Sequence, residues 1–335
     1  MAKATAKLAG IDIGTTKVTV VIGDMGDDGT PRLTGIGCMP CKGMRKGVLV
    51  NMDSTSRALQ QAVQEAENMA GIEIGSAMVS VAGGHIRSFN SRGGVSISGR
   101  DSTVSEEDIH LVLEAARAVA LPPDREILHV LPQEYTLDGQ RGIDEPLALT
   151  GSRLQASVHL VTGSLANVQN IVTCVNRVGV EVIDVVLGQL ASAEAVLLPD
   201  ERQLGVLLID VGGGTTDVAV FEKNMVWHTS VVPAGGDNFT NDIAVGLRTP
   251  IPGAEQIKIK YGCAQTDLVD ADEVLEVPSV GGKRGRILSR RILCEILEPR
   301  AEEIFTLLAE DLKRSGYDQV LRAGAVLTGG GSLLD

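Results

Sequence analysis

The sequence predicts an α/β chain of two related lobes, with a smaller α+β domain inserted in the first. Three observations carry this reading. Gly10-Ile11-Asp12-Ile13-Gly14-Thr15-Thr16-Lys17-Val18-Thr19-Val20 recurs as Leu208-Ile209-Asp210-Val211-Gly212-Gly213-Gly214-Thr215-Thr216-Asp217-Val218-Ala219-Val220, with Asp12 and Asp210 lying 198 positions apart. Each copy follows an apolar run and precedes alternating β-formers, the pattern of strand, tight turn and strand, and the second copy reads as carrying two extra glycines. Between the copies, from about residue 84 to 162, the texture changes to Gly/Ser-rich hairpins around a single helix.

The elements follow in order. After the first hairpin, residues 33–37 and 48–50 read as strand pieces. Asp53-Ser54 opens a helix with Leu59, Ala62, Val63, Ala66 and Met69 on one face, stopped at Gly71, and 77–81 is a buried strand. In the insertion, Arg92-Gly93-Gly94 and Ser98-Gly99 read as hairpin turns. Ser105-Glu106-Glu107-Asp108 starts a helix to residue 119 with a capping-box pattern, and Pro122-Pro123 ends it. Short strands are predicted at 126–130, 133–137, 154–156 and 158–161. The chain then returns to the first lobe: Ser164 caps a helix to 178 with Gly179 after it, 181–187 is a strand, and 190–198 is a helix crossing to the second lobe.

Each repeat sets an acid at a strand end, then glycine, then paired hydroxyls. Glycine permits a tight turn whose N–H groups point into one concavity, an anion site to which threonine hydroxyls add donors. A carboxylate beside a polyphosphate cannot bind the anion itself. Asp12 and Asp210 are therefore read as holding hydrated Mg²⁺, an ion that keeps several waters and takes one or two carboxylates. A dinucleotide-binding reading fails, because no Gly-x-Gly-x-x-Gly opens a helix here, and no Gly-Lys-Ser or Gly-Lys-Thr follows a glycine-rich loop. Two such elements imply paired lobes clamping one nucleotide.

Composition narrows the classes further. A chain of 335 residues with 44% hydrophobic content can bury two or three domain cores. A net charge of −13 opposes phosphate-backbone binding, and 2% aromatic content leaves few platforms for stacking bases, so nucleic acid is not an expected partner. No signal-peptide or membrane-spanning run stands out, which reads as a cytoplasmic protein. Five cysteines make no secreted disulfide framework. Cys38-Met39-Pro40-Cys41 lacks the second pair a zinc site would need, and the five histidines show no ligand spacing.

Three features of the second half complete the inventory. After Val232-Pro233-Ala234-Gly235-Gly236-Asp237 and one helix, a short helix places Glu255 and Lys258 on one face, an ion pair or an adenosine contact. Lys283, Arg284, Arg286, Arg290, Arg291 and Arg300 make a basic stretch in an acidic chain, a solvated helix face or a receptor for an acidic peptide. Ala325-Val326-Leu327-Thr328-Gly329-Gly330-Gly331 is a strand and glycine turn against which an adenine ring can lie. The chain stops at Asp335 where a helix is expected, so it reads as part of a longer protein.

These residues resemble the actin, Hsp70 and sugar kinase superfamily and, within it, the FtsA family of bacterial cell division proteins. Carrying the resemblance, besides both repeats, are Lys42-Gly43-Met44-Arg45-Lys46-Gly47, His129-Val130-Leu131-Pro132-Gln133-Glu134-Tyr135, Val277-Pro278-Ser279-Val280-Gly281-Gly282, Ile296-Leu297-Glu298-Pro299-Arg300 and Leu327-Thr328-Gly329-Gly330. The resemblance implies a two-lobe actin-like (ribonuclease H-like) ATPase fold with subdomain 1C inserted in place of 1B. Its expected divisions are 1–83 and 163–198 for 1A, 84–162 for 1C, 199–247 and 317–335 for an incomplete 2A, and 248–316 for 2B.

The implied cofactors are ATP and Mg²⁺. Asp12, Gly14, Thr15 and Thr16 would form phosphate loop one, and Asp210, Gly212, Gly213, Gly214 and Thr215 loop two. Gly235 and Gly236 would approach the phosphates, Glu255 and Lys258 the ribose and base, and Gly329 with Gly330 would back the adenine. The implied partners are the FtsZ C-terminal tail at Arg286, Arg290 and Arg300, further copies of the chain in filaments, and later division proteins at subdomain 1C. The inner membrane would be reached through a C-terminal helix, so these 335 residues alone are not expected to bind lipid.

Gly188 aligns where brisk hydrolases of the superfamily place Glu or Gln, with Gln189 beside it, so slow turnover is expected. The alternatives are a small-molecule, sugar-type kinase, which lacks a further catalytic acid here, and an MreB-like filament protein, which would need the Glu that Gly188 replaces.

Overall fold

The computed structural model describes residues 7–26, 29–97, 101–270, 272–282 and 284–335; Ser98, Gly99 and Lys283 fall outside these. The first lobe comprises β1 (Lys7–Ile13), β2 (Lys17–Met25), β3 (Pro31–Pro40), a small hairpin of β4 (Met44–Arg45) and β5 (Val48–Leu49), α1 (Met52–Ala70) and β6 (Ser76–Val81). The insert holds β7 (Arg87–Ser96), α2 (Glu106–Arg117), β8 (Arg125–Leu137), β9 (Gln140–Ile143) and β10 (Arg153–Ser164). The chain re-enters the first lobe as α3 (Leu165–Asn176) and β11 (Glu181–Leu187), then crosses as α4 (Gly188–Val196). The second lobe contains α5 (Pro199–Leu204), β12 (Val206–Val211), β13 (Thr216–Glu222), β14 (Met225–Val232), α6 (Gly236–Gly246), α7 (Ile251–Tyr261), β15 (Val274–Val277), β16 (Arg286–Ser289), α8 (Arg290–Ser315) and β17 (Ala325–Thr328).

The two lobes repeat one topology. In the first, the sheet order is β11-β6-β1-β2-β3, with β1 antiparallel to β2 and parallel to β6; in the second it is β14-β13-β12-β17, with β12 antiparallel to β13 and parallel to β17. The first sheet buries Val18, Val20 and Ile22 beneath α1, whose residues Leu59, Ala62 and Ala66 face it; the second packs on α6 and α8 through Ile243, Leu293, Leu297 and Ile304. The insert has its own core around Val112, Leu154, Val158 and Leu160.

The pairing register corrects one reading of the repeat. Ile13 pairs with Val18 and Val211 with Thr216, so each turn has the same four intervening residues and there are no extra glycines. Both turns close with the same bond, Gly14 N–H to Lys17 O and Gly212 N–H to Thr215 O, each 2.9 Å. Structurally, Thr15 and Thr16 correspond to Gly213 and Gly214, and the Thr-Thr pair of the second copy lies two places further along.

Other expectations change for local reasons. Arg92-Gly93-Gly94 is no turn but the middle of β7, and a Cβ on Gly93 would sit 2.5 Å from Val112 O, so the glycine admits α2 against the strand. The pieces at 126–130 and 133–137 are one strand, β8, because the register shifts where Val158 pairs with Pro132 and Ser157 with Glu134, absorbing the proline in a bulge. Likewise 154–156 and 158–161 merge into β10. The crossing helix begins at Gly188 and ends at Val196, and Pro199 starts a separate α5. Asn51, not Asp53-Ser54, caps α1, accepting from Ser54 N at 2.9 Å, and Met69 is exposed rather than on the buried face. Ser105 and Asp108 form the expected capping box, and Gly71 ends α1 in the left-handed conformation.

The insert rests on the second lobe through a polar seam. His159 on β10 is 1% exposed, with Nδ1 2.7 Å from Asn90 Oδ1 and Nε2 2.9 Å from Thr229 Oγ1. Burial, reinforced by the charge of nearby His228, pushes its pKa down to about 3. The unfolded chain therefore binds more protons than the folded one below about pH 6.5, and stability falls as pH drops through that window. Between pH 7 and pH 5 this histidine alone is expected to cost about 2 kcal/mol. Urea unfolding at the two pH values checks this: His159→Gln should flatten the dependence, and an unchanged slope would contradict it.

Candidate functional site

The two hairpin turns, the start of α4 and the glycines after β17 enclose a cleft of about 930 Å³ between the lobes. Asp12, Gly14, Thr15, Thr16, Asp210, Gly212, Gly213, Gly214, Thr215, Gly236, Glu255, Lys258, Gly329 and Gly330 all line it. Gly235 does not. It packs beneath the second turn, where a Cβ would meet Gly212 O at 2.6 Å.

Steric complementarity joins the turns. A Cβ on Gly213 would lie 2.4 Å from Thr16 Cγ2, and one on Gly214 would lie 2.7 Å from Thr15 Oγ1. The threonines of one loop thus occupy the space left by glycines in the other. The tip of the β4–β5 hairpin joins them, with Gly47 N–H donating to Thr15 Oγ1 at 3.3 Å. In the second loop the hydroxyls face the protein, Thr215 Oγ1 donating to Asp217 Oδ2 at 2.8 Å and Thr216 Oγ1 to Ala234 O at 2.9 Å. Gly236 N–H and Asp237 N–H are likewise bonded to Gly212 O and Gly213 O, which ties the first turn of α6 to the loop.

Three carboxylates share the cleft. Asp12 accepts from Ser80 Oγ, its neighbour across the β1–β6 pairing, and Asp210 Oδ2 accepts from Ser192 Oγ on α4 at 2.8 Å. Asp217, directly opposite Asp210 across the β12–β13 pair, is 6% exposed and receives Gln189 Nε2 at 3.3 Å. Asp12 lines the cleft, where loss of solvation raises its pKa against the Ser80 hydrogen bond, and the Asp210 charge adds to the rise. Asp217 is pushed up to about 7 by burial and then by the charges of Asp210 and Asp12, against hydrogen bonds from Thr215 and the Gly83 N–H. Among the described residues no lysine or arginine forms an ion pair with any of the three.

This donor set suits a hydrated cation held jointly with an anionic ligand. Among the described residues no group of three or more His, Cys, Asp and Glu could grip a bare metal ion directly, and an ion carrying its own waters needs only the outer carboxylates. Gln189 Oε1 is buried with no hydrogen-bond partner, an acceptor left open beside the cleft. At the far end, Lys258 Nζ lies 2.8 Å from Glu255 Oε2, 3.0 Å from Gly236 O and 2.9 Å from Thr240 Oγ1, so the pair is built into the α6–α7 contact. Gly329, at φ +83°, turns the chain after β17 so that bare backbone faces the cleft.

Sequence reasoning missed Ser80, Ser192 and the role of Asp217. The first two come near their aspartates only through tertiary pairing, whereas Asp217 follows from period-2 counting along β13. The three arginines lie away from the cleft, each with a partner: Arg286 on Leu247 O, Arg290 on Glu273 Oε2 at 2.8 Å and Tyr261 O at 2.8 Å, and Arg300 on Asp242 Oδ2 at 2.6 Å. Cys38 is exposed and Cys41 buried beside Thr55.

Comparison with known proteins gives the chain's relatives and its fold. Residues 83–162 match a family described as the SHS2 domain inserted in FTSA, and residues 207–335 match cell division protein FtsA. The chain is 51% identical over 328 residues to cell division protein FtsA of Pseudomonas aeruginosa, covering 98% of this chain and 78% of that protein. It is 41% identical to FtsA of Escherichia coli K12, covering 100% and 81%. Among solved structures it resembles a PilM-PilN type IV pilus biogenesis complex (TM-score 0.67, 16% identity, 98% and 82% covered). It also resembles MreB5 of Spiroplasma citri bound to ADP (TM-score 0.53, 15% identity, 98% and 86% covered). These likenesses give the fold, which is the two-lobed actin-like ATPase fold. Among the described residues no helix is long and apolar enough to cross a membrane.

The turn after β17 makes a sharp test. A Cβ on Gly329 would lie 2.4 Å from Asp210 Oδ1 and 2.6 Å from Val211 O, on a backbone of positive φ, whereas one on Gly330 meets nothing within 4 Å. Gly329→Ala should cost about 1–3 kcal/mol in conformation alone, and Gly330→Ala should stay within about 0.5 kcal/mol of the parent in chemical denaturation. Equal effects would contradict the placement of the turn.

Proposed function

Because the chain belongs to the FtsA family of cell division proteins, we propose that it binds ATP with Mg²⁺ between its lobes and links FtsZ filaments to the inner membrane. In this role it helps assemble the Z ring and recruits later division proteins from the cytoplasmic face. The observation that carries the nucleotide reading is the convergence of Asp12 and Asp210, each at the mouth of a four-residue turn, on one cleft. Bound Mg²⁺ would offset the charge of both carboxylates and of the phosphates. Thr15, Thr16 and the turn N–H groups would hold the phosphates, and Glu255, Lys258 and the Gly329–Gly330 backbone the adenosine.

The chain's own residues favour slow hydrolysis. Gly188 offers no side chain at the head of α4, and the adjacent Gln189 is buried with its amide turned onto Asp217. A water near the terminal phosphate would then meet no side chain at residue 188 and only the open Oε1 of Gln189, whose amide nitrogen is held by Asp217, which is less than the free positioning group that rapid turnover needs. Nucleotide is accordingly read as a conformational ligand that closes the lobes and biases filament assembly. The FtsZ tail is assigned to the subdomain spanning 248–316, where Arg286 is exposed at the strand edge and Arg290 and Arg300 lie on the helix that follows.

Titration with a fluorescent ATP analogue in Mg²⁺ tests the nucleotide reading. Asp12→Asn and Asp210→Asn should each weaken binding by about tenfold or more, and turnover should stay far below that of a metabolic kinase. Retained affinity in both variants would overturn it. In parallel, Arg286→Glu should weaken binding of a synthetic FtsZ tail peptide by about tenfold, and an unchanged affinity would remove this region from the partner assignment.

A further inference from the structure

The insert leaves and rejoins the first lobe, yet its far side is bonded to the second. At the near end, Gly83 at φ +114° stacks on Gly47 at φ +74°, where a Cβ on Gly83 would lie 2.7 Å from Gly47 Cα. This crossing touches both phosphate-type turns: Gly47 N–H donates to Thr15, and beside it Lys46 lies against the second turn, where a Cβ on Gly214 would be 3.0 Å from Lys46 Cα. Arg125 ties the two chain passages together, with Nη2 3.0 Å from His85 O on the way out and 2.8 Å from Thr162 O on the way back.

At the far end a compact latch grips β14. Gln133 Nε2 donates to Val226 O at 3.1 Å and Trp227 O at 3.2 Å, Ser88 Oγ to Thr229 O at 2.7 Å, and Asn90 Nδ2 to Tyr317 Oη at 2.9 Å. Asn90 Oδ1 also receives His159 Nδ1 at 2.7 Å and Gln133 Nε2 at 3.3 Å. The pattern assigns a neutral His159 that donates from Nδ1 and accepts from Thr229 at Nε2. With Gln133 2% and His159 1% exposed, breaking one bond strands buried partners, so the latch holds or releases as a unit. Its strand, β14, pairs directly with β13, the strand that carries Asp217 into the cleft.

We propose that the insert is a strap between the lobes. The Asn90–Gln133–His159 latch makes it follow the second lobe, so that closing the cleft rotates the insert about the Gly83–Gly84 hinge. The proposal rests on the nucleotide reading above for the signal, but the latch itself stands without it. A ligand that draws Asp12 and Asp210 together moves the second lobe relative to the first. With the far end of the insert fixed to that lobe, the change is absorbed where the backbone has glycine freedom. A cavity of about 280 Å³ beside the latch, walled by Arg92, Glu134, Trp227 and Tyr317, gives the seam room to shear. The surface that the insert presents to other molecules would thus report the state of a cleft it does not line.

The test compares the full chain with an Asn90→Ala/Gln133→Ala variant. Trp227, the single tryptophan, lies on the seam and serves as its reporter. Without nucleotide, the variant should quench with acrylamide at least about twofold more readily and exchange amide hydrogens of segment 225–230 about tenfold faster. With Mg²⁺ and ATP, both proteins should bind nucleotide alike. Exchange at 83–87 should change in the parent and stay at its nucleotide-free rate in the variant. The same hinge response in both, no response in the parent, or an unaltered seam in the variant would overturn the strap. Failure of the parent to bind ATP would instead sink the nucleotide reading, leaving the acrylamide comparison to decide the latch. Should the double variant not fold, Ser88→Ala/Tyr317→Phe loosens the same seam by two single bonds, with the same outcomes expected at smaller amplitude.

Discussion

Thr15 and Thr16 of the first turn press onto the bare backbone of Gly213 and Gly214 in the second, and the site is assembled around that contact. Neither turn can carry the other's residues. A side chain at 213 or 214 would collide with the threonines, while glycine at 15 or 16 would remove the hydroxyls that face the cleft. Because both turns span four residues and close with the same hydrogen bond, the lobes meet in register despite their different sequences. Asp12 and Asp210 then arrive at matching heights on either side of one space. The duplication has diverged into a donor half and an accommodating half.

Charge is the second consequence of that meeting. Three acids face this space, and among the described residues no lysine or arginine forms an ion pair with any of them; loss of solvation and mutual repulsion raise the pKa of Asp12 and push that of Asp217 up to about 7. Ser80 and Ser192 fix the orientation of two of them, and Gln189 with Thr215 that of the third. A divalent ion bound there, as proposed above, would offset the repulsion among these acids. The Gln189 amide nitrogen steadies Asp217, while its Oε1 stays open beside the cleft. A site organised in this way suits a molecule that uses nucleotide to hold a shape.

Much of this was legible in the residues. The repeated strand-turn-strand pattern located both hairpins, the Ser105/Asp108 pair and Gly71 marked helix ends, and the glycine turn after β17 was evident from composition. What escaped did so for physical reasons. Aligning the repeats on identical Thr-Thr pairs implied a longer second turn, but strand pairing counts hydrogen-bonded positions rather than identities. Gly93 looked like a turn because its purpose, admitting α2, lies 20 residues away in sequence. Pro132 split one strand into two on paper because a bulge cannot be seen in a single strand. Ser80, Ser192 and the seam residues Asn90, Gln133 and His159 owe their roles to neighbours more than 10 residues away.

The central claim is that two unlike turns grip one Mg²⁺-nucleotide between Asp12 and Asp210. A crystal structure with Mg²⁺ and a non-hydrolysable ATP analogue tests it most directly. The account predicts one water-coordinated ion between the two carboxylates, the triphosphate across the Thr15–Thr16 and Gly212–Gly214 turns, and the base against Gly329–Gly331. Nucleotide bound elsewhere, or both carboxylates still turned onto Ser80 and Ser192 with no ion between them, would contradict it.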